Sequence, residues 1–194
     1  MTAPSSQPST RERLVRAAAE EFNRAGFGGT NTNKIARAAG FAPATFYRYF
    51  EDKRAIMVAA FEWVLSLQRE AMVSLVAKAD PGDIDGIARR LVASLADHQR
   101  QWQRLVASGL AISSDDPNLA SLLQAKRTQD LMAMDAICVQ LGGEPKSREE
   151  NLLLLITIEA LCVLLATSDP AALDVSEGAL VAQMARQLVT HVQG

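Results

Sequence analysis

Residues 30–50 read TNTNKIARAAGFAPATFYRYF, and this stretch decides the fold. It predicts two short helices around a tight turn. Thr30 or Asn31 can cap the first helix, Gly40 stops it, and Pro43, whose fixed φ suits the first helical position, opens the second. The second helix carries Thr45, Tyr47, Arg48 and Tyr49, while Phe46 and Phe50, four apart, turn inward against Ile35 and Phe22. Upstream, Ser9 with Glu12 forms a capping box for a helix that places Leu14, Val15, Ala18 and Phe22 at helical spacing and ends at Gly26. Downstream, Glu51-Asp52-Lys53-Arg54 opens another helix with acidic residues at its positive end. Three helices around one small core, the last with a polar outer face, make a helix-turn-helix.

That arrangement implies a chemistry. A helix fits the major groove of DNA, its first residues reach base edges and its flanks meet phosphate. Ala42, Pro43 and Ala44 are compact enough for close approach, and Pro43 or Ala44 can pack on a thymine methyl. Thr45 can do the same or donate a hydrogen bond. Tyr47 and Tyr49 offer hydroxyls to phosphates. Arg48 either forks onto a guanine or holds a phosphate, the commoner kind of contact. Thr32 and Lys34 near the start of the second helix, and Lys53 at the start of the fourth, would clamp the backbone on either side.

Charge agrees with a chain that meets phosphate at one end only. The formal net charge is −2, yet residues 1–54 hold nine Lys or Arg against five Asp or Glu, and residues 55–194 hold eleven against seventeen. A front of +4 and a rear of −6 follow from those counts.

Three-to-four spacing recurs from Ser9 to the end with almost no two-residue alternation, so the fold class is all-α, about nine helices in all. The expected division is a disordered tail over 1–8, a DNA-binding domain over 9–54 and a helical body over 55–194. A long helix runs from about Asp52 to Lys78, ending at Asp80-Pro81-Gly82. Another starts at Asp83 and meets a polar interruption at His98-Gln99-Arg100-Gln101, after which Trp102 to Ile112 forms a separate helix. The next spans about Pro117 to Leu141. Ser147 with Glu150 opens a helix ending near Ser168, and Asp174 with Glu177 opens the last. The run Leu152 to Ala166 is broken by Glu159 and falls short of the roughly 18 consecutive apolar residues of a membrane span, so a buried helix is expected and no membrane partner.

Cys138 and Cys162, each in an apolar stretch, read as small buried hydrophobes, which suits a reducing cytoplasm. The first residues lack the basic-then-apolar order of a signal peptide. Trp63, Leu67, His98, Trp102, Leu105, Met132 and Met134 could line an apolar effector pocket, although each taken singly reads first as core. His98 has no second histidine or cysteine nearby in sequence, so no metal site is expected. Glu159, among Leu and Ile, must be paired, solvated at an interface or shifted to the neutral form; pairing with an arginine or hydroxyl across helices is the first reading, a cationic ligand the second. No phosphate-binding glycine loop or catalytic constellation is legible, and neither cofactor nor enzymatic activity is expected; a helical enzyme or small-molecule carrier is the rival reading.

With those residues in view, GFGGTNTNKIARAAGFAPATFYRYFEDKRAI resembles the N-terminal signature of TetR-type transcriptional regulators. Phe22, Gly26, Phe27, Thr30, Thr32, Ile35, Ala36, Gly40, Phe46, Tyr47, Tyr49, Phe50 and Lys53 fill the family's pattern over about residues 10–60. Asn31, Lys34 and Pro43 depart from its usual residues. The resemblance implies a homodimer, most often a repressor, whose rear domain binds a small effector and whose last two helices pair with their symmetry mates. Two recognition helices would then stand roughly 34 Å apart, over a palindromic operator. Independently, the run around Leu153, Ile156 and Glu159 is apolar nearly all round, and Leu180, Met184 and Leu188 form a row on the last helix. Both point to a helical interface. A regulator that binds DNA without an effector is the alternative.

Overall fold

The computed structural model describes residues 7–78, 80, 82–140 and 142–194. They form α1 (Thr10–Gly29), α2 (Thr32–Ala38), α3 (Pro43–Phe46), α4 (Lys53–Ala77), α5 (Ile84–Ser113), α6 (Pro117–Gln140), α7 (Arg148–Thr167) and α8 (Glu177–Gln193), with a 3-10 turn at Pro170–Leu173. The fold is all-α, as expected, and among the described residues eight α-helices and the 3-10 turn stand in place of about nine helices. Most of the expected tail, together with Pro81 and Leu141 at two expected helix ends, lies outside the described residues. Two compact units are present, Met1–Leu65 with Arg104–Leu122, and Ser66–Gln103 with Leu123–Gly194. The first adds to the expected 9–54 module the start of α4, the end of α5 and the first residues of α6.

In the first unit α2 packs on both α1 and α3. The capping box forms: the Glu12 N–H donates to Ser9 Oγ (3.2 Å) and the Ser9 N–H to Glu12 Oε2 (2.7 Å). The α1 backbone breaks at Gly26, whose φ of 73° and ψ of 170° leave the helical region before a last turn to Gly29. Asn31 is the cap of α2, its Oδ1 accepting from the Lys34 N–H at 3.0 Å. Thr30 instead donates its hydroxyl to Glu21 Oε2 at 3.1 Å. Gly40, at φ 79°, makes the turn between α2 and α3. The helix opened by Pro43 is one turn long. After Phe46 the chain continues as tight turns, the Tyr49 and Phe50 N–H groups both donating to Phe46 O at 3.0 Å. Phe22, Ile35, Phe46, Ile56, Met57, Phe61, Leu105 and Leu119 are fully buried in this unit. Asp116 caps α6 by accepting from the Asn118 and Leu119 N–H groups at 3.1 Å, and its other oxygen lies 3.7 Å from the Arg54 guanidinium.

The second unit has two apolar clusters. One joins Val92 and Ala96 of α5 to Ile158, Leu161, Cys162 and Leu165 of α7 and Met184 of α8. The other joins Ile87, Ala88 and Leu91 of α5 to Met134 of α6 and Ala185 and Leu188 of α8, with Met72, Leu75 and Val76 of α4 against it. Asn151, almost wholly buried, ties three helices: its Nδ2 donates to Asp135 Oδ1 (2.6 Å) and its Oδ1 lies 2.7 Å from His191 Nε2. Since the amide oxygen can only accept, that imidazole nitrogen carries the proton. Both cysteines are free and buried, and burial pushes their thiols upward, Cys162 to about 11.

One expected division falls at a kink, and one expected cap is corrected. The polar run 98–101 is itself helical, because His, Gln and Arg are all compatible with a helix, and the two helices expected around it meet at a kink at Trp102 (φ −113°, ψ 16°), the residue at which the second was expected to begin. The cap of α8 is Ser176, whose Oγ accepts from the Ala179 N–H at 3.1 Å, while Asp174 sits in the left-handed region at φ 55° and closes the 3-10 turn. By length and composition alone α7 could cross a membrane. A core helix passes the same test, and midway along α7 Glu159 pairs with Arg127 (2.8 Å) and Lys126 (3.5 Å), so the expectation that this carboxylate finds a basic partner across helices holds.

Gly109 lies against the buried ring of Phe61: a Cβ there would stand 2.5 Å from Phe61 Cε2. Gly109→Ala should therefore destabilise the protein by about 1–3 kcal/mol through overpacking, read as a lower denaturation midpoint with an unchanged m-value.

Candidate nucleic-acid interface

Four residues of the sequence-derived DNA-facing set cluster at the outer surface of the first unit. Ala42, Ala44 and Arg48 are exposed, and Tyr47 is 58% exposed. Pro43 and Thr45 are half-buried, and Tyr49 is 41% exposed. What holds this surface is the layer beneath it. Phe46 and Phe50 are buried 5.8 Å apart by ring centroids, and the Phe46 ring meets the edge of Tyr47 at 5.3 Å. The Tyr47 hydroxyl is hydrogen-bonded to Thr32 Oγ1 at 3.0 Å, so two of the hydroxyls expected to meet phosphate already touch each other.

The two lysines of the set are engaged within the module. Lys34 Nζ donates to Gly29 O (3.2 Å). Lys53 Nζ donates to Phe27 O (2.8 Å) and Thr30 O (3.2 Å) and lies 4.2 Å from the Phe27 ring centroid. Both cations therefore cap carbonyls at the end of α1, which has no basic residue in its own last turn. Arg13 escaped the sequence reading. Its Nη2 donates to Ala39 O at 2.9 Å and its guanidinium lies 4.5 Å from the Phe41 ring, pinning the turn between α2 and α3 from α1. Arg13 lies far from that turn in sequence, so no local pattern marks the contact.

This surface combines small side chains that permit close approach, exposed hydroxyls and a free guanidinium. Those are the groups that contact base edges and phosphate oxygens. Among the described residues no group of His, Cys, Asp and Glu is placed to hold a metal ion.

The other predicted sets lie partly or wholly in the second unit. Of the effector candidates, Trp63 and Leu105 belong to the first unit and Leu67, His98, Trp102, Met132 and Met134 to the second. Met134 is core and Met132 is exposed on α6. Of the interface candidates, Leu153 and Ile156 are 67% and 47% exposed, and Leu180 is half-buried. Met184 and Leu188 instead pack into the protomer's own clusters. A row at helical spacing marks a buried face without saying what buries it. Val163 and Leu164, which share the exposed side of α7, were missed for the same reason.

A short turn-linked helix pair with an outward polar face defines a helix-turn-helix module, the class of element that reads DNA. Comparison with known proteins gives its family. Residues 14–60 match the family model for bacterial regulatory proteins of the tetR family. Over 47 residues the chain is 45% identical to YdgC, an uncharacterised HTH-type transcriptional regulator of Bacillus subtilis, a match spanning 24% of each chain. Among solved structures it resembles a protein assigned to the TetR family from Mesorhizobium loti (TM-score 0.74, 20% identity, 94% of each chain). It also resembles the regulator FadR of Bacillus subtilis, solved with stearoyl-CoA (TM-score 0.66, 19% identity, 92% of this chain and 97% of that one). Residues 14–60 are thus a DNA-binding domain of the tetR type, and the whole chain shares the fold of the solved regulators.

His98 carries a pH signature. Its Nε2 is buried without a hydrogen-bond partner, and burial, helped by the charge of Lys126, pushes its pKa down to about 4. The unfolded chain, with a histidine near about 6.5, binds a proton that the native state refuses. Stability should therefore fall as pH drops from about 6.5 towards about 4. His98→Leu should flatten the dependence of thermal midpoint on pH within that window, read by circular dichroism; an unchanged slope would refute the buried neutral imidazole.

Proposed function

We propose that the protein acts as a homodimeric repressor. It binds a palindromic operator through α3, the turn that follows it and the start of α2, and is released when a small hydrophobic molecule enters the second unit. The observation that carries the reading is the cluster of Ala42, Ala44, Thr45, Tyr47 and Arg48 over the buried Phe46 and Phe50. It is a surface shaped for close approach on a rigid support. Tyr49, Pro43, Thr32, Lys34 and Lys53 complete the DNA-facing set, the two lysines meeting phosphate from the positions where they also cap α1.

Dimerisation is supported by α7. Leu153, Ile156, Val163 and Leu164 form an exposed apolar side on a helix whose opposite side is already core. An apolar face at helical spacing needs a neighbour. An isologous pair of such faces supplies one and gives the two-fold symmetry that an inverted repeat requires. For the effector, the similarly folded FadR of Bacillus subtilis, solved in complex with stearoyl-CoA, supports a hydrophobic ligand, as does the wealth of apolar side chains from α4 to α8 in the second unit of this chain. Trp63, Leu67, His98, Trp102, Leu105, Met132 and Met134 remain the candidates to contact such a molecule. The site of action is the cytoplasm, where the operator lies.

Selection of bound duplexes from a random pool by the purified protein, at a stated moderate salt, tests the reading: an inverted repeat is expected, and sequence-blind binding overturns it. Arg48→Ala should weaken binding to the selected duplex by about tenfold or more without changing the oligomer or the melting temperature. Leu153→Glu with Ile156→Glu should give monomers in sedimentation and abolish high-affinity binding; an intact dimer would remove α7 from the interface.

A further inference from the structure

The part of α5 that belongs to the first unit bears on the DNA-binding surface without lying near the motif in sequence. Three hydrogen bonds bracket the break at Gly26. Arg104 Nη1 donates to Arg24 O at 2.6 Å, the Phe27 N–H donates to Ser108 Oγ at 3.3 Å, and the Leu105 N–H donates to Asn23 Oδ1 at 3.3 Å. In an uninterrupted helix Arg24 O would accept from Gly28 and the Phe27 N–H would donate to Asn23 O. The backbone at Gly26 turns out of the helical region between them, and each of these two groups has a partner on α5. Arg104 takes the carbonyl and Ser108 takes the N–H. The fit is close: a Cβ on Gly26 would stand 3.7 Å from Ser108 Oγ and 4.0 Å from Arg104 Cδ.

We propose that Arg104 and Ser108 are positioning residues for DNA binding, fixing the direction in which the chain leaves α1 and thereby the placement of α2 and α3. Only Thr30 and the cap Asn31 separate the end of α1 from α2, so the backbone direction at Phe27 is handed on over five to seven residues to Thr32 and Lys34. Tyr47 follows through its bond to Thr32. Neither Arg104 nor Ser108 needs to touch DNA in this role, since Arg104 Nη1 and Ser108 Oγ both bond the α1 backbone. The inference rests on the DNA-binding reading of α2 and α3 and adds to it residues that no part of the helix-turn-helix motif contains.

Two measurements on the full-length protein test it: affinity for the duplex enriched by the unaltered chain across a salt series, and amide hydrogen exchange without DNA. Arg104→Ala with Ser108→Ala should weaken binding about tenfold while leaving the oligomer intact, and should speed exchange from Phe27 to Ile35. The slope of log affinity against log salt should stay unchanged, because no phosphate contact is lost. Ser108→Thr, which keeps the hydroxyl, should restore most of the affinity to the Ser108→Ala protein. The proposal is overturned by unchanged affinity and unchanged exchange in the folded double variant. It is equally overturned by a slope reduced by about one, which would place Arg104 on a phosphate. Should the unaltered chain enrich no duplex, the DNA-binding reading fails, and exchange at the α1 exit still decides whether the bracket holds the corner.

Discussion

The DNA-reading module depends on how the end of α1 is neutralised. That helix breaks at Gly26, resumes for one turn and stops at Gly29, leaving carbonyls of Arg24, Phe27, Gly29 and Thr30 without partners from an unbroken helix. Three cations from three other helices take them: Arg104 of α5, Lys53 of α4 and Lys34 of α2. Charge-assisted bonds to carbonyls at the negative end of a helix dipole are among the stronger contacts available to exposed side chains. Here they also gather four helices on one corner. The aromatic layer then needs only to fill the space, with Phe22 stacked on Phe27 and Phe46 beside Phe50.

The same economy appears one turn further on. Arg13 bonds the Ala39 carbonyl beside Gly40, so α1 governs both its own exit and the turn that launches α3. With α3 only one turn long, helical hydrogen bonding alone cannot hold it. Its orientation is imposed by the burial of Phe46 and by the ring and hydroxyl contacts of Tyr47. A binding surface held this way is preorganised by its support, which reduces the ordering cost of association.

The second unit solves a different problem. Its helices are apolar on more than one side, and area burial alone would leave their registers loosely specified. Polar ties supply the register: Asp135, Asn151 and His191 bond in series across α6, α7 and α8, while Arg100 of α5 reaches Leu165 O, Asp97 and Glu177. A buried amide with both ends satisfied has one acceptable arrangement, which is how polar groups in a core confer specificity. His98, with a buried nitrogen left unpaired, is the exception to this pattern.

Much of this was legible in the sequence, and the division between what was and was not has a physical basis. Sequence alone determined the helical class, the capping boxes at Ser9 and Ser147, the break at Gly26, the stop at Gly40, and the inward turn of Phe46 and Phe50. These depend on residues within a turn or two of one another, where side-chain chemistry and backbone geometry act directly. The motif carried the family because its whole constellation is local. Only the tertiary structure decided that Lys34 and Lys53 cap α1, that Arg13, Arg104 and Ser108 brace the corner, and that Met184 and Leu188 face inward while Leu153 and Ile156 do not. Those outcomes depend on which surface meets which across long stretches of chain. Helical spacing says that a face is apolar or a cation available; only packing chooses the partner.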